Sequence, residues 1–135
     1  MIAVHLAGVV KRYGNVLALD GLAFDVPRGA VCAVIGPNGS GKTTTFGVLA
    51  GLLRVDAGEA VLFEEGPFDP ARHAGRVSLM PQDSAPSPHS SIRELLRFYA
   101  ELGGQTREQA RREADHWLAR VGLERSGAAK IGQLS

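Results

Sequence analysis

The residue types best suited to chemistry sit in one stretch, Gly36-Pro37-Asn38-Gly39-Ser40-Gly41-Lys42-Thr43-Thr44. Gly36, Gly41, Lys42 and Thr43 satisfy the spacing G-x-x-x-x-G-K-[ST]. In that pattern a loop wraps its backbone N–H groups around a phosphate chain facing the positive end of a helix. Glycines at 36, 39 and 41 permit backbone angles and a close approach that a Cβ would obstruct. Lys42 would set its ammonium between the β- and γ-phosphates of a nucleotide, and the Thr43 hydroxyl would complete a Mg²⁺ site shared with phosphate oxygens. The plain alternative is a glycine-rich turn joining a strand to a helix; the full motif in its strand-to-helix setting favours phosphate binding.

Elements on both sides must hold such a loop. The apolar run AVCAVIG, residues 30–36, reads as a buried strand leading into it, with Cys32 a small buried hydrophobe. A helix follows Gly41, with Val48, Leu49, Leu52 and Leu53 on one face and Gly51 tolerated inside it. Further short strands are expected at residues 2–10, 22–27, 59–64 and 76–80, parted by turn signals. The Pro/Ser-rich stretch 81–90 ends this strand-rich part. Ser91–Glu94 and Thr106–Gln109 have capping-box spacing ahead of two helices. Their expected apolar faces are Ile92, Leu95, Leu96, Tyr99 and Leu102, then Ala110, Ala114, Trp117, Leu118 and Val121. Gly103 and Gly104 stop the first helix, and Gly122 is the expected residue just past the second.

Composition narrows the function. A chain of 135 residues has one core by default, and its net charge of +1 points to no polyanionic partner. Arg107, Arg111, Arg112, Arg120 and Arg125 alternate with Glu108, Glu113, Asp115 and Glu124, the pattern of a solvated helix face and not of a nucleic-acid footprint. With one cysteine, no disulfide forms within the chain. No apolar run approaches the ~20 residues that span a bilayer, and the first ten residues lack a leader pattern, so a cytosolic protein reaching the membrane through a partner is expected. His5, His73, His89 and His116 have no metal-ligand spacing and read as surface or strand residues. D-x-x-G and N-K-x-D do not occur, which argues against a GTPase. Asp20, in Val16–Asp20, fits the pattern of a second magnesium carboxylate only superficially and reads as a turn residue.

The run from Val9 to Phe63, VVKRYGNVLALDGLAFDVPRGAVCAVIGPNGSGKTTTFGVLAGLLRVDAGEAVLF, resembles the start of an ATP-binding cassette domain, the ATPase module of ABC transporters. LMPQD, residues 79–83, falls where that family carries its Q-loop. The resemblance implies an α/β P-loop NTPase fold of the ABC type. Residues 1–82 would form the nucleotide-binding β-subdomain and P-loop core, and residues 83–135 the helical subdomain. It implies that Tyr13 stacks on adenine, although on its own Tyr13 reads as an ordinary turn aromatic. By the same resemblance Gln82, otherwise a polar loop residue, reaches Mg²⁺ and the attacking water. Gly36 to Thr44 would bind the nucleotide, Thr43 and Gln82 the metal, and Lys42 and Gln82 would act in catalysis.

The closing Leu134-Ser135 matches the first two letters of the family's L-S-G-G-Q signature, so an incomplete cassette is expected, lacking the aspartate strand, the general-base glutamate and the switch histidine. His89 is not that histidine. The function implied is an ATP-binding subunit that couples MgATP binding and hydrolysis to transport, in the manner of bacterial multidrug and ABC-2-type exporters. Its implied partners are ATP, a membrane-spanning subunit and a second ATPase domain in a head-to-tail dimer, with no nucleic acid. Two alternatives stay open: a soluble ABC ATPase of ribosomal or DNA-repair type, and a truncated product that at best binds nucleotide.

Overall fold

A computed structural model of the chain describes residues 1–82 and 86–133. Its residues group into two units, Met1–His73 and Ala74–Ser135. Asp83, Ser84 and Ala85, at the start of the expected helical subdomain, and Leu134-Ser135, the expected start of the signature, lie outside the described residues.

The first unit holds β1 (Ile2–Tyr13), β2 (Val16–Pro27), α1 (Lys42–Leu49), β3 (Ala57–Leu62) and the one-turn α2 (Pro70–His73). The strands form an antiparallel sheet in the order β2-β1-β3. β1 and β2 turn through Gly14-Asn15, where Gly14 takes the positive φ of 56° that a two-residue hairpin loop favours. Gly8 shifts the register on both edges of β1, between Leu6↔Phe24 and Val9↔Leu22 on one side and between Ala7↔Glu59 and Val10↔Ala57 on the other. Such bulges sharpen the twist that lets a three-stranded sheet wrap a helix. Leu6, Val9 and Leu19 from the sheet and Val48 from α1 are buried together, flanked by Leu22, Phe24, Leu49 and Leu53. Each such side chain stabilises the unit by roughly 1.5–3 kcal/mol.

Several expectations are corrected here. Residues 30–37 form no regular element, Val31 and Ile35 are 101% and 92% exposed, and Cys32 is exposed and not buried. Residues 77–80 likewise form no strand. Apolar composition supplies the tendency, but a strand also needs a neighbour to complete its ladder, and no described segment pairs with either run. Asp20 is not a turn residue: it lies within β2, where Asp20 and Gly21 (φ 68°) form a bulge between the pairs Lys11↔Leu19 and Val9↔Leu22. β3 stops at Leu62 because Phe63 and Glu64 adopt φ of 54° and 63° in a turn closed by Glu65 N–H to Leu62 O at 2.9 Å.

α1 ends at Leu49, short of Leu52 and Leu53. Gly51 terminates it at φ 71°, with Gly51 N–H on Val48 O at 3.0 Å and Leu52 N–H on Gly47 O at 2.8 Å, a Schellman ending. A Cβ at Gly51 would also collide with the Phe68 ring.

The second unit pairs α3 (Ile92–Leu102) with α4 (Arg107–Arg120), followed by short 3₁₀ turns at Glu124–Ser126 and Ile131–Gln133. Both expected capping boxes are present, Ser91 with Glu94 and Thr106 with Gln109. Both expected glycine stops hold as well, Gly104 at φ 91° and Gly122 at φ 71°. On α4 only Ala110, Ala114 and Leu118 are buried. Trp117 and Val121, expected on the apolar face, are exposed, as are Tyr99 and Leu102 on α3. Trp117 instead donates to Glu113 Oε1 at 2.8 Å and carries the Arg120 guanidinium over its ring. The alternating arginines are solvent-exposed, as expected for a solvated helix face.

Candidate nucleotide-binding site

The loop that carries the motif enters α1 through Gly41, whose left-handed conformation (φ 87°, ψ 3°) no side chain supports with a capping hydrogen bond. A Cβ at Gly41 would lie 2.6 Å from Ala18 O and 2.7 Å from Leu19 Cδ2, so only glycine lets the loop rest against β2. Gly39 is also left-handed, at φ 83°, and a Cβ at Gly36 would meet Ser40 Oγ at 2.6 Å. Thr45 anchors the turn from beneath, its buried hydroxyl donating to Gly41 O at 3.0 Å.

Lys42 folds back over the loop, where its Nζ donates to Gly36 O at 2.8 Å and Pro37 O at 2.7 Å and stands 3.5 Å from Ser40 Oγ. Among the described residues no acceptor is recorded for the backbone N–H groups of Lys42, Thr43 and Thr44, and the first turn of α1 has no acidic residue. Free N–H donors, a helix dipole and an ammonium therefore meet at one exposed loop formed by Gly36, Pro37, Asn38, Gly39, Ser40 and Gly41. This donor set fits a polyphosphate chain, and the exposed Thr43 hydroxyl fits a hard cation bound beside it.

Tyr13 ends β1, paired with Val16 across the hairpin, and is 46% exposed. The Lys11 ammonium lies 5.9 Å from its ring centroid. Asp56, just ahead of β3, accepts from Lys11 Nζ at 3.0 Å and from the Arg12 backbone N–H at 2.6 Å. Those two contacts, the Arg12 N–H first, hold its carboxyl below the usual range. Gln82 is exposed and belongs to the second unit.

His73 corrects another expectation, since it is fully buried. Its Nδ1 accepts the Asp69 N–H at 2.8 Å, its Nε2 stands 3.5 Å from Glu65 Oε2, and its ring lies 5.9 Å and 5.8 Å from those of Phe63 and Phe68. No local signal marks such a residue, because the rings that enclose it come from a turn and a loop with no periodicity.

A glycine loop of this kind, entering a helix that packs on a small antiparallel sheet, on a chain whose second unit is a helix pair, is the make-up of an ATP-binding cassette. The ABC transporter family matches residues 19–135, and the chain belongs to it. A crystallised ATP-binding cassette of an ABC transporter superposes with a TM-score of 0.83 at 27% identity, over 100% of this chain and 60% of that one. A nucleotide-free cassette gives 0.76 at 28% identity, over 100% and 60%. Among curated relatives, a Nod factor export ATP-binding protein I of Burkholderia orbicola is 38% identical over 98% of this chain and 44% of its own length. A daunorubicin resistance ATP-binding protein of Streptomyces coeruleorubidus is 39% identical over 98% and 42%. The chain thus spans less than half the length of these relatives. No helix among the described residues is long and apolar enough to cross a membrane.

Proposed function

We propose that the chain binds MgATP through Gly36 to Thr44, and that the protein it belongs to or comes from is the ATP-binding subunit of an exporter. The observation that carries the reading is the open N-terminus of α1, with left-handed Gly41 at its entry and the Lys42 ammonium turned over the loop. The backbone N–H groups of Lys42, Thr43 and Thr44 would hold the phosphates, Lys42 would neutralise the β- and γ-oxygens, and Tyr13 would stack on the adenine. Thr43, with Gln82 brought to it, would hold Mg²⁺, which supplies charge neutralisation between the phosphates when bound.

The export class follows the relatives, whose names specify Nod factor export and daunorubicin resistance. On this reading a membrane-spanning subunit and a second cassette are the working partners, and the protein lies against the inner face of the bacterial membrane through the former. Calorimetry of ATP binding tests the core of it. Lys42→Ala should weaken binding by about 2 kcal/mol or more, the scale of a charge-assisted bond in a shielded site. Equal affinity in the two proteins would overturn the assignment.

A further inference from the structure

An aromatic ring that receives a base must be fixed before the base arrives, or ordering it weakens binding. Tyr13 is poorly placed for this by the sheet alone. β3 pairing with β1 ends at Val10↔Ala57, so Lys11, Arg12 and Tyr13 have a strand partner only on the β2 side, beside a hairpin turn. Asp56 takes over where β3 stops. Its backbone N–H donates to Val10 O at 2.9 Å, and its Oδ2 accepts the Arg12 N–H at 2.6 Å, so the carboxylate continues the ladder past the end of the strand. Its other oxygen, Oδ1, accepts from Lys11 Nζ at 3.0 Å, and that ammonium lies 5.9 Å from the Tyr13 ring centroid. On the opposite edge Lys11 and Arg12 pair with Leu19 and Leu17, and the intervening Ala18 carries the carbonyl against which Gly41 is packed. One pair of strands therefore links the ring to the phosphate loop.

Building on the proposed adenine contact at Tyr13, we propose that Asp56 and Lys11 are positioning residues for the nucleotide base. Asp56 pins the free edge of β1 and holds Lys11 against the ring, while the exposed part of Tyr13 stays open for stacking. A cation against an aromatic ring restrains it electrostatically without covering all of it. The prediction is selective: the pair serves the base and leaves the phosphates alone.

The test measures affinities of the chain for MgATP and for magnesium tripolyphosphate, which has no base. Asp56→Asn, Lys11→Gln and Tyr13→Ala should each weaken MgATP by about five- to tenfold, within the span of a base-stacking contribution, and leave tripolyphosphate within about twofold. Lys11→Arg should restore most of the ATP affinity. If Asp56→Asn and Lys11→Gln weaken both ligands equally, or weaken neither while Tyr13→Ala still weakens ATP, the positioning role is overturned and the base contact survives. If Tyr13→Ala leaves ATP binding unchanged, the base contact falls and the positioning role falls with it. Should Asp56→Asn fail to fold by circular dichroism, Lys11→Gln decides the matter alone, because it removes the ammonium and leaves the Asp56–Arg12 backbone contact in place.

Discussion

α1 in the first unit and the α3/α4 pair in the second start from the same chemical problem, a first turn of backbone N–H groups with no partner inside the helix. The second unit closes its helix starts with its own side chains. Ser91 Oγ accepts the Glu94 N–H at 3.2 Å while Glu94 Oε2 accepts the Ser91 N–H at 2.8 Å, and Thr106 and Gln109 repeat the exchange at 3.3 Å and 2.9 Å. α1 has no such closure: its cap position is a left-handed glycine, and its nearest cation faces the loop. A serine or aspartate at position 41 would offer an acceptor to the N–H donors that α1 leaves open, and its Cβ would strike β2. Helix starts closed by side chains hold the fold together, and one left open can bind an anion.

The largest expected effect comes from closing that difference at its source. Gly41→Ala forces a non-glycine residue to φ 87° with its Cβ 2.6 Å from Ala18 O. Left-handed backbone alone costs about 1–2 kcal/mol and the clash adds to it, so the first unit should lose about 2 kcal/mol or more in denaturant unfolding, together with ATP affinity. Unchanged stability and binding would show that Gly41 is only one turn glycine among many. Ser91→Ala should cost about 1 kcal/mol, the usual value of a side-chain cap. Denaturation followed by Trp117, the only tryptophan, would report it, with ATP affinity unchanged. A fall in ATP affinity from Ser91→Ala would mean that the two kinds of helix start are not independent.

What the sequence made legible tracks how local each signal is. Both capping boxes and the glycine stops at 104 and 122 were readable because their partners lie within six residues along one chain segment. The glycine conformations of the loop before α1, left-handed at Gly39 and Gly41, were readable for the same reason. Gly51 was misread as a helix interior although its own Schellman bonds are local, since apolar Leu52 and Leu53 beyond it mimic a continuing face. The runs at 30–36 and 76–80 looked like strands because apolar content is visible in sequence, whereas the presence of a pairing neighbour is not. The contacts of Asp56 and the burial of His73 left no local signal. Asp56 reaches Lys11 and Arg12 across 45 and 44 positions, and the contacts of His73 depend on how two connecting segments fold over it.

The smallest effect is a pH dependence at the capped start of α3, a contribution that the start of α1, with no acidic residue, lacks. The Ser91 backbone N–H, and after it the Ser91 hydroxyl, hold the Glu94 carboxyl below its ordinary 4.5. A carboxyl with a lowered folded value contributes stability above its unfolded pKa and loses it as pH falls through the folded one. Asp56 and Asp69 are lowered as well, Asp69 first by the Arg72 N–H and then by that of Ala71, so the whole chain weakens on acidification and wild type alone cannot isolate Glu94. Glu94→Gln can. Gln109 shows in α4 that an amide completes the same box at 2.9 Å, so the variant keeps the hydrogen bond and removes only the charge. Wild type should therefore be slightly more stable than Glu94→Gln at neutral pH, and the gap should close as pH falls below about 4.5. A gap that persists at pH 3 would mean that shape and not charge sets this cap, and that the electrostatic half of the contrast with α1 is wrong.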